Sequence, residues 1–119
     1  MIVVNRRLEG SRPPWEFQAQ RPDTDHFNRD YHPERAHGGT QICLLHPTTS
    51  ELTELTKPSE GEWNWGGRFT KEGRQLLFHR ARVGETPAIW IMNVNGSGQR
   101  LLTRGEDSRG AIFSRWMPA

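Results

Sequence analysis

The stretch Gln41-Ile42-Cys43-Leu44-Leu45-His46-Pro47-Thr48-Thr49-Ser50-Glu51-Leu52-Thr53-Glu54-Leu55-Thr56-Lys57 decides the fold, because it recurs. Shifted by 47 residues without a gap it carries Ile42 onto Ile89, Leu44 onto Ile91, Leu45 onto Met92, Ser50 onto Ser97, Leu55 onto Leu102, Thr56 onto Thr103 and Lys57 onto Arg104. Each copy is an apolar run, a turn, and a segment that returns with alternating character, which is the pattern of a β-hairpin. In the second copy the turn is Asn95-Gly96-Ser97-Gly98. An Asn-Gly pair readily supplies the positive φ angles of a tight primed turn, so this is the strongest hairpin signal in the chain.

Two further segments repeat in the same order. Ile2-Val3-Val4-Asn5-Arg6 matches Leu76-Leu77-Phe78-His79-Arg80 at an offset of 74, and Phe69-Thr70-Lys71 matches Phe113-Ser114-Arg115 at an offset of 44. The polar stretch 8–38, with Pro13, Pro14, Pro22, Pro33, Gly10 and Gly38 and few aliphatic residues, accounts for the longer offset as an insertion in the first copy. Strands are expected at 1–7, 41–46, 51–56, 63–70, 75–80, 88–94 and 99–103, and no segment has helical periodicity. A period of about 40–50 residues with four short strands per unit is the spacing of propeller blades.

The residues also carry a family resemblance. Phe78-His79-Arg80, Gly84, then Ile89-Trp90-Ile91-Met92-Asn93-Val94-Asn95-Gly96-Ser97-Gly98-Gln99 and Leu102-Thr103 resemble the repeat of TolB-type β-propellers. Thr48-Thr49-Ser50-Glu51 stands where that repeat commonly has Thr-Gly-Glu, and Phe69-Thr70-Lys71-Glu72-Gly73 is an altered form of its Trp-Ser-Pro-Asp-Gly element. The fold class implied is all-β: antiparallel four-stranded propeller blades forming an incomplete propeller with a long inserted loop. The expected layout is a partial blade over 1–62 with the insertion at 8–38, a complete TolB-like blade over 63–105, and the start of a following blade over 106–119. A closed propeller takes about four blades or more, so the remaining blades are expected from a longer protein or from other copies.

Composition bounds the alternatives. Leu, Ile, Val and Phe make up 23 of 119 residues and the net charge is +2. That is a chain short of core, yet without the high net charge of a disordered one. Five Trp and five Phe call for packed structure. No apolar run approaches the ~18 residues of a membrane helix, and the Met1–Arg7 segment is too short for a signal peptide. The single Cys43 excludes an internal disulfide and a cysteine-rich zinc site, and its place in an apolar strand marks it as a packing residue. Arg104, Arg109 and Arg115 are offset by Glu106 and Asp107, so no nucleic-acid footprint is expected.

The residue types that could carry chemistry fall into three groups. His26, His32 and His37 lie among Asp23, Asp25, Asp30 and Glu34, a donor set able to hold a divalent metal such as Mn or Ca, but at spacings that fit no compact ligand motif. The duller reading is a solvated loop, mobile or ordered by a partner. Trp63 and Trp65, with Phe69, form either a stacking platform or inter-blade core, and Arg80 and Arg82 are the basic candidates for binding. Oligogalacturonate lyases, propeller enzymes of the same broad group, would place metal and acidic-sugar contacts at Arg6, His26, His32, His37, His79, Arg80 and Arg82; the motifs defining them are not recognisable here. No Gly-x-Ser-x-Gly elbow is present, and Gly96-Ser97-Gly98 reads as a turn. The expectation is therefore a non-enzymatic interaction or scaffold module without a cofactor. It would bind a protein or peptide, or self-associate through exposed blade faces, in an extracytoplasmic setting by resemblance. The alternative is a fragment of a propeller lyase or of a peptidase-associated propeller.

Overall fold

The computed structural model describes residues 1–14 and 32–103. They form an all-β fold of seven strands: β1 (Ile2–Arg7), β2 (Thr40–Leu45), β3 (Leu52–Glu54), β4 (Glu62–Phe69), β5 (Gln75–Arg82), β6 (Ala88–Asn93) and β7 (Arg100–Thr103). The strands are hydrogen-bonded into one open sheet in the order β1-β2-β4-β5-β6-β7, with β3 added to β2 off that path. Among the described residues no helix is long and apolar enough to cross a membrane.

All pairings are antiparallel except one. β1, β2 and β3 make a three-stranded meander, and β4 to β7 make a four-stranded one. A single parallel bridge, Thr40 opposite Trp63, joins them. The join is braced by side chains. The Thr40 hydroxyl donates to the Asn64 carbonyl at 2.8 Å and accepts the Asn64 N–H at 3.0 Å, while Asn64 Nδ2 donates to the Thr40 carbonyl at 3.1 Å.

The internal repeat extends to the ladder register. β1 pairs with β2 as Ile2–Leu45, Val3–Leu44, Val4–Cys43, Asn5–Ile42 and Arg6–Gln41. The offsets of 74 and 47 turn these into Leu76–Met92, Leu77–Ile91, Phe78–Trp90, His79–Ile89 and Arg80–Ala88, all of which pair between β5 and β6. Cys43–Glu54 and Leu44–Thr53 likewise become Trp90–Leu101 and Ile91–Arg100. Even the irregularity recurs. The Ile42 carbonyl accepts from both Leu55 and Thr56, and the register of β6 on β7 shifts at Ile89, its counterpart. Because a slip of one residue would send every side chain to the opposite face, a shared register means shared faces.

The core lies between the two meanders. Ile42, Leu44 and Leu55, with Val3, come from one face of the first; Leu76, Phe78 and Met92, with Phe69, Trp90 and Val94, come from the second. Val3 and Leu44 correspond to Leu77 and Ile91, yet the second meander presents the neighbouring residues Leu76, Phe78 and Met92 instead. Successive side chains point to opposite faces, so one face of the first meander packs on the opposite face of the second. The fit is close: a Cβ at Gly67 would stand 2.5 Å from Val3 Cγ1. Each fully buried aliphatic or aromatic side chain in this layer contributes up to about 1.5–3 kcal/mol.

Two expectations need correction. The Asn95-Gly96 hairpin forms, but Gly96 (φ 86°) has positive φ and Asn95 does not. A primed type I turn needs positive φ at both central residues. Here a three-residue loop closes instead, with the Asn93 N–H bonded to the Ser97 carbonyl at 2.8 Å and the Gly96 N–H to the Asn93 carbonyl at 2.8 Å. Asn95 serves through its side chain, whose Oδ1 accepts from the Ser97 N–H at 3.0 Å. The second correction concerns the insertion at 8–38. Its ends are not loose loop: Arg12 bridges His37, Leu8 donates to the Gly39 carbonyl at 3.0 Å, and Ser11 Oγ both donates to and accepts from the Gly39 backbone at 3.0 Å. A short 3-10 turn, Pro33–Arg35, follows within the second of these ends.

Candidate functional site

Where the two meanders diverge they leave an open polar cleft of about 650 Å3, with Glu54, Lys57, Glu62, Arg80, Arg82 and Gln99 among its lining side chains. One of them, Glu62 at the start of β4, is buried despite its charge. A carboxylate is tolerated there because it is matched: Arg82 Nη2 lies 3.2 Å from Oε1, Arg80 Nε lies 3.8 Å from Oε2, and Asn64 Nδ2 donates to Oε2 at 3.3 Å. The cross-strand pairs Glu62–Arg82 and Asn64–Arg80 bring these residues together.

Arg80 is held on all sides. Its Nε donates to Asn64 Oδ1 at 2.7 Å and its Nη2 to Gln99 Oε1 at 2.7 Å, while its guanidinium lies 4.5 Å from the Trp90 ring centre and 5.1 Å from that of Phe78. Burial lowers its pKa and the Glu62 carboxylate works against that; a guanidinium stays charged regardless. Stacking on the two aromatic rings leaves Arg80 as a fixed cation that ties the second meander together. Arg82 is half exposed and is the more accessible of the two.

Trp63 and Trp65 lie on the other face of β4, opposite Ala81 and His79. The four residues expected to bind are thus divided by strand alternation into two aromatic residues on one face and two basic residues on the other. Trp65 stacks on His79 with ring centres 5.2 Å apart and planes at 16°. His79 is buried, and that burial holds its pKa below the ordinary imidazole value against the opposing effect of a Trp65 backbone hydrogen bond. Trp63 Nε1 is enclosed and has no hydrogen-bond partner among the described residues.

Of the histidines considered as metal ligands, His26 lies outside the described residues. His32 Nδ1 is 3.4 Å from Glu34 Oε1, and His37 Nδ1 is 2.7 Å from Glu60 Oε1, so each is paired with a carboxylate of its own. Arg6 bonds Gln41 Oε1 at 2.8 Å and pairs with Glu54, and the charges of Arg6 and Glu54 act on the buried Cys43 in opposite directions. Burial raises the Cys43 pKa and keeps it a thiol, consistent with a packing role. Sequence reading did not single out Glu62; the signal for it is the cross-strand register, which the run Glu60-Gly61-Glu62-Trp63 does not reveal.

Comparison with protein-family models, curated proteins and solved structures finds no match for this chain.

Proposed function

We propose that this chain is a non-enzymatic assembly module built from TolB-like propeller-blade units, which takes a protein partner on the faces and edges that its own units leave open. The first unit is β1 to β3 and the second is β4 to β7. One observation carries the reading. Leu55 is 5% exposed, buried by the second unit, whereas its counterpart Leu102, at the same position of the second unit, is 44% exposed. The same comparison holds at the other end, where Leu76 is fully buried and its counterpart Ile2 is 49% exposed. Stacking of one unit's face on the opposite face of the next is how repeat architectures build a continuous core.

The Glu62 cleft supports a binding role over a catalytic one. Its acids and bases are already matched with one another, and Arg80 is immobilised by hydrogen bonds and aromatic rings. Such a network orients a surface for recognition more readily than it shuttles protons. Sedimentation velocity over a wide range of chain concentrations tests the proposal. Association that grows with concentration is the expected result; a cooperatively folded monomer at every concentration refutes it.

A further inference from the structure

The lining of the cleft carries more positive than negative charge, and its groups are unequally committed. Three cations, Lys57, Arg80 and Arg82, line it together with two carboxylates, Glu54 and Glu62. Glu54 is engaged by Arg6, which is not one of the lining residues. Arg80 is taken up by Asn64, Gln99 and Glu62. Gln99 is taken up as well, its Nε2 donating to the Gly96 carbonyl at 3.0 Å and to the Leu55 carbonyl at 3.3 Å. Two cations keep donors to spare. Lys57, exposed in the link between the units, has no ion pair or side-chain hydrogen bond among the described residues. Arg82, with a half-exposed side chain, is paired among those residues only with Glu62, through Nη2. We infer that the cleft binds an acidic peptide segment of a protein partner, whose carboxylates are held by Lys57 and Arg82. This inference rests on the reading of the cleft as a binding surface and names the chemistry of what it binds.

Glu62 prepares Arg82 for this role without cancelling it. One buried carboxylate is shared by two guanidiniums, so it anchors Arg82 at the end of β5 and leaves a surplus of positive charge beside it. A guanidinium presents five N–H donors in a rigid fork that matches a carboxylate, and Nη2 alone is turned to Glu62. The ammonium of Lys57, on a flexible stem, can follow a ligand that Arg82 has oriented. Ser59 and Asn95 line the same cleft, and neither the Ser59 hydroxyl nor Asn95 Nδ2 donates to a partner among the described residues, apart from the turn bonds that Asn95 accepts. These neutral donors suit the carbonyl groups of a peptide backbone.

The rest of the lining selects among anions. A nucleic-acid backbone would set its dense negative charge against Glu54 and Glu62, whereas separate side-chain carboxylates place one charge at a time beside the cations. Leu55 is the one aliphatic side chain among the described lining residues, and it is buried in the core, so an apolar ligand finds little surface to cover. At about 650 Å3 the cleft has the size of a ligand site. Lys57 and Arg82 are exposed, so each contributes modestly and the attraction is screened by salt. A carboxylate bridging them ties the link to the second unit, and the folded chain gains stability by mass action when it binds.

The test is an amide chemical-shift titration of the full chain with an end-blocked peptide, Gly-Glu-Gly-Glu-Gly, and with its glutamine counterpart. The expected result is saturable shifts at 57–62, Arg82 and 95–99 with the glutamate peptide and none with the glutamine peptide. Raising salt from about 50 to about 300 mM is expected to weaken binding severalfold. Lys57→Ala, at an exposed position, is expected to keep the fold and weaken binding about fivefold, and Lys57→Glu to abolish saturation. Lys71→Ala, equally exposed but outside the lining, is expected to change nothing. Equal shifts from the glutamine peptide, from inorganic phosphate or from a thymidine oligonucleotide overturn the acidic peptide as occupant, and so does binding that Lys57→Glu leaves intact. Association of the chain without any peptide-dependent shift overturns this inference and leaves the assembly reading standing. Saturable cleft shifts on a chain that is monomeric at every concentration overturn the assembly reading and support this one.

Discussion

Leu55 and Leu102 offer a pair of substitutions at repeat-equivalent positions, in which the residue type is held constant while burial changes. Replacing leucine by alanine removes roughly three methylene equivalents, at about 0.8 kcal/mol each when fully buried. Leu55 is only 5% exposed and sits in the layer between the units, where Val3, Ile42 and Leu44 surround it. Transfer and the residual cavity together make Leu55→Ala cost about 3 kcal/mol. Leu102 is 44% exposed on the last strand, so it loses little more than half the transfer term and leaves no cavity. Its substitution costs about 1 kcal/mol, less any burial already present in the unfolded chain. Urea unfolding at a concentration where the chain is monomeric measures both. With an m-value of about 1.5 kcal/mol/M, a difference of about 2 kcal/mol separates the two midpoints by about 1.3 M. Equal costs would refute the reasoning, because they would mean that Leu102 is packed as fully as Leu55 and that the second unit has no open face. Raising the concentration adds a second discrimination. Under the proposed assembly, mass action stabilises the folded chain and Leu102→Ala forfeits part of that gain.

Three other substitutions test the geometry around the core. Burial depresses the His79 pKa, so the unfolded chain takes up a proton before the folded one as pH falls through about 6.5. Stability is therefore greatest above that pH and declines below it until the folded-state pKa is passed; His79→Gln should flatten this decline in unfolding measurements across the range, and an unchanged slope would count against the buried neutral imidazole. Gly96 combines a φ of 86° with a hypothetical Cβ 2.7 Å from the Leu55 carbonyl, whereas Gly73 has a similar φ of 71° and open space around it. Gly73→Ala should cost only the backbone term of about 1–2 kcal/mol, with Gly96→Ala costing measurably more because the two units must separate to admit the methyl; equal midpoints in thermal melts would show that the turn does not press on the first unit.

Much of the fold was legible in the residues because β-structure has a period of two and the repeat has a fixed offset. The alternation in Glu51–Thr56 and the apolar runs at 41–46 and 88–94 place the strands to within a residue or two. The turn at Asn95 was less legible. Asn-Gly satisfies a primed turn, but it equally suits a loop in which Asn95 caps Ser97 and only the glycine is left-handed. The candidate site divides along the same line. That Trp63 and Trp65 share one face of β4 follows from their spacing, but that Arg80 belongs to the other face requires knowing that it pairs with Asn64, and thus requires the register. Glu62 acquires its role only when Arg80 and Arg82 arrive from the next strand.

Burial resists reading for a deeper reason, and the repeat isolates it. Leu55 and Leu102 are repeat-equivalent leucines, each following an apolar strand, a turn and an irregular pairing, yet their burial differs. What separates them among the described residues is the neighbour: Leu55 joins the core cluster with Leu76, Phe78 and Met92, whereas Leu102 lies on β7, whose four residues are all exposed. The same holds for β1 and β5, alike in register against β2 and β6 but different in what lies on the far side. Local sequence thus specifies which side of a unit is apolar, and what packs against that side in the fold decides whether it is buried.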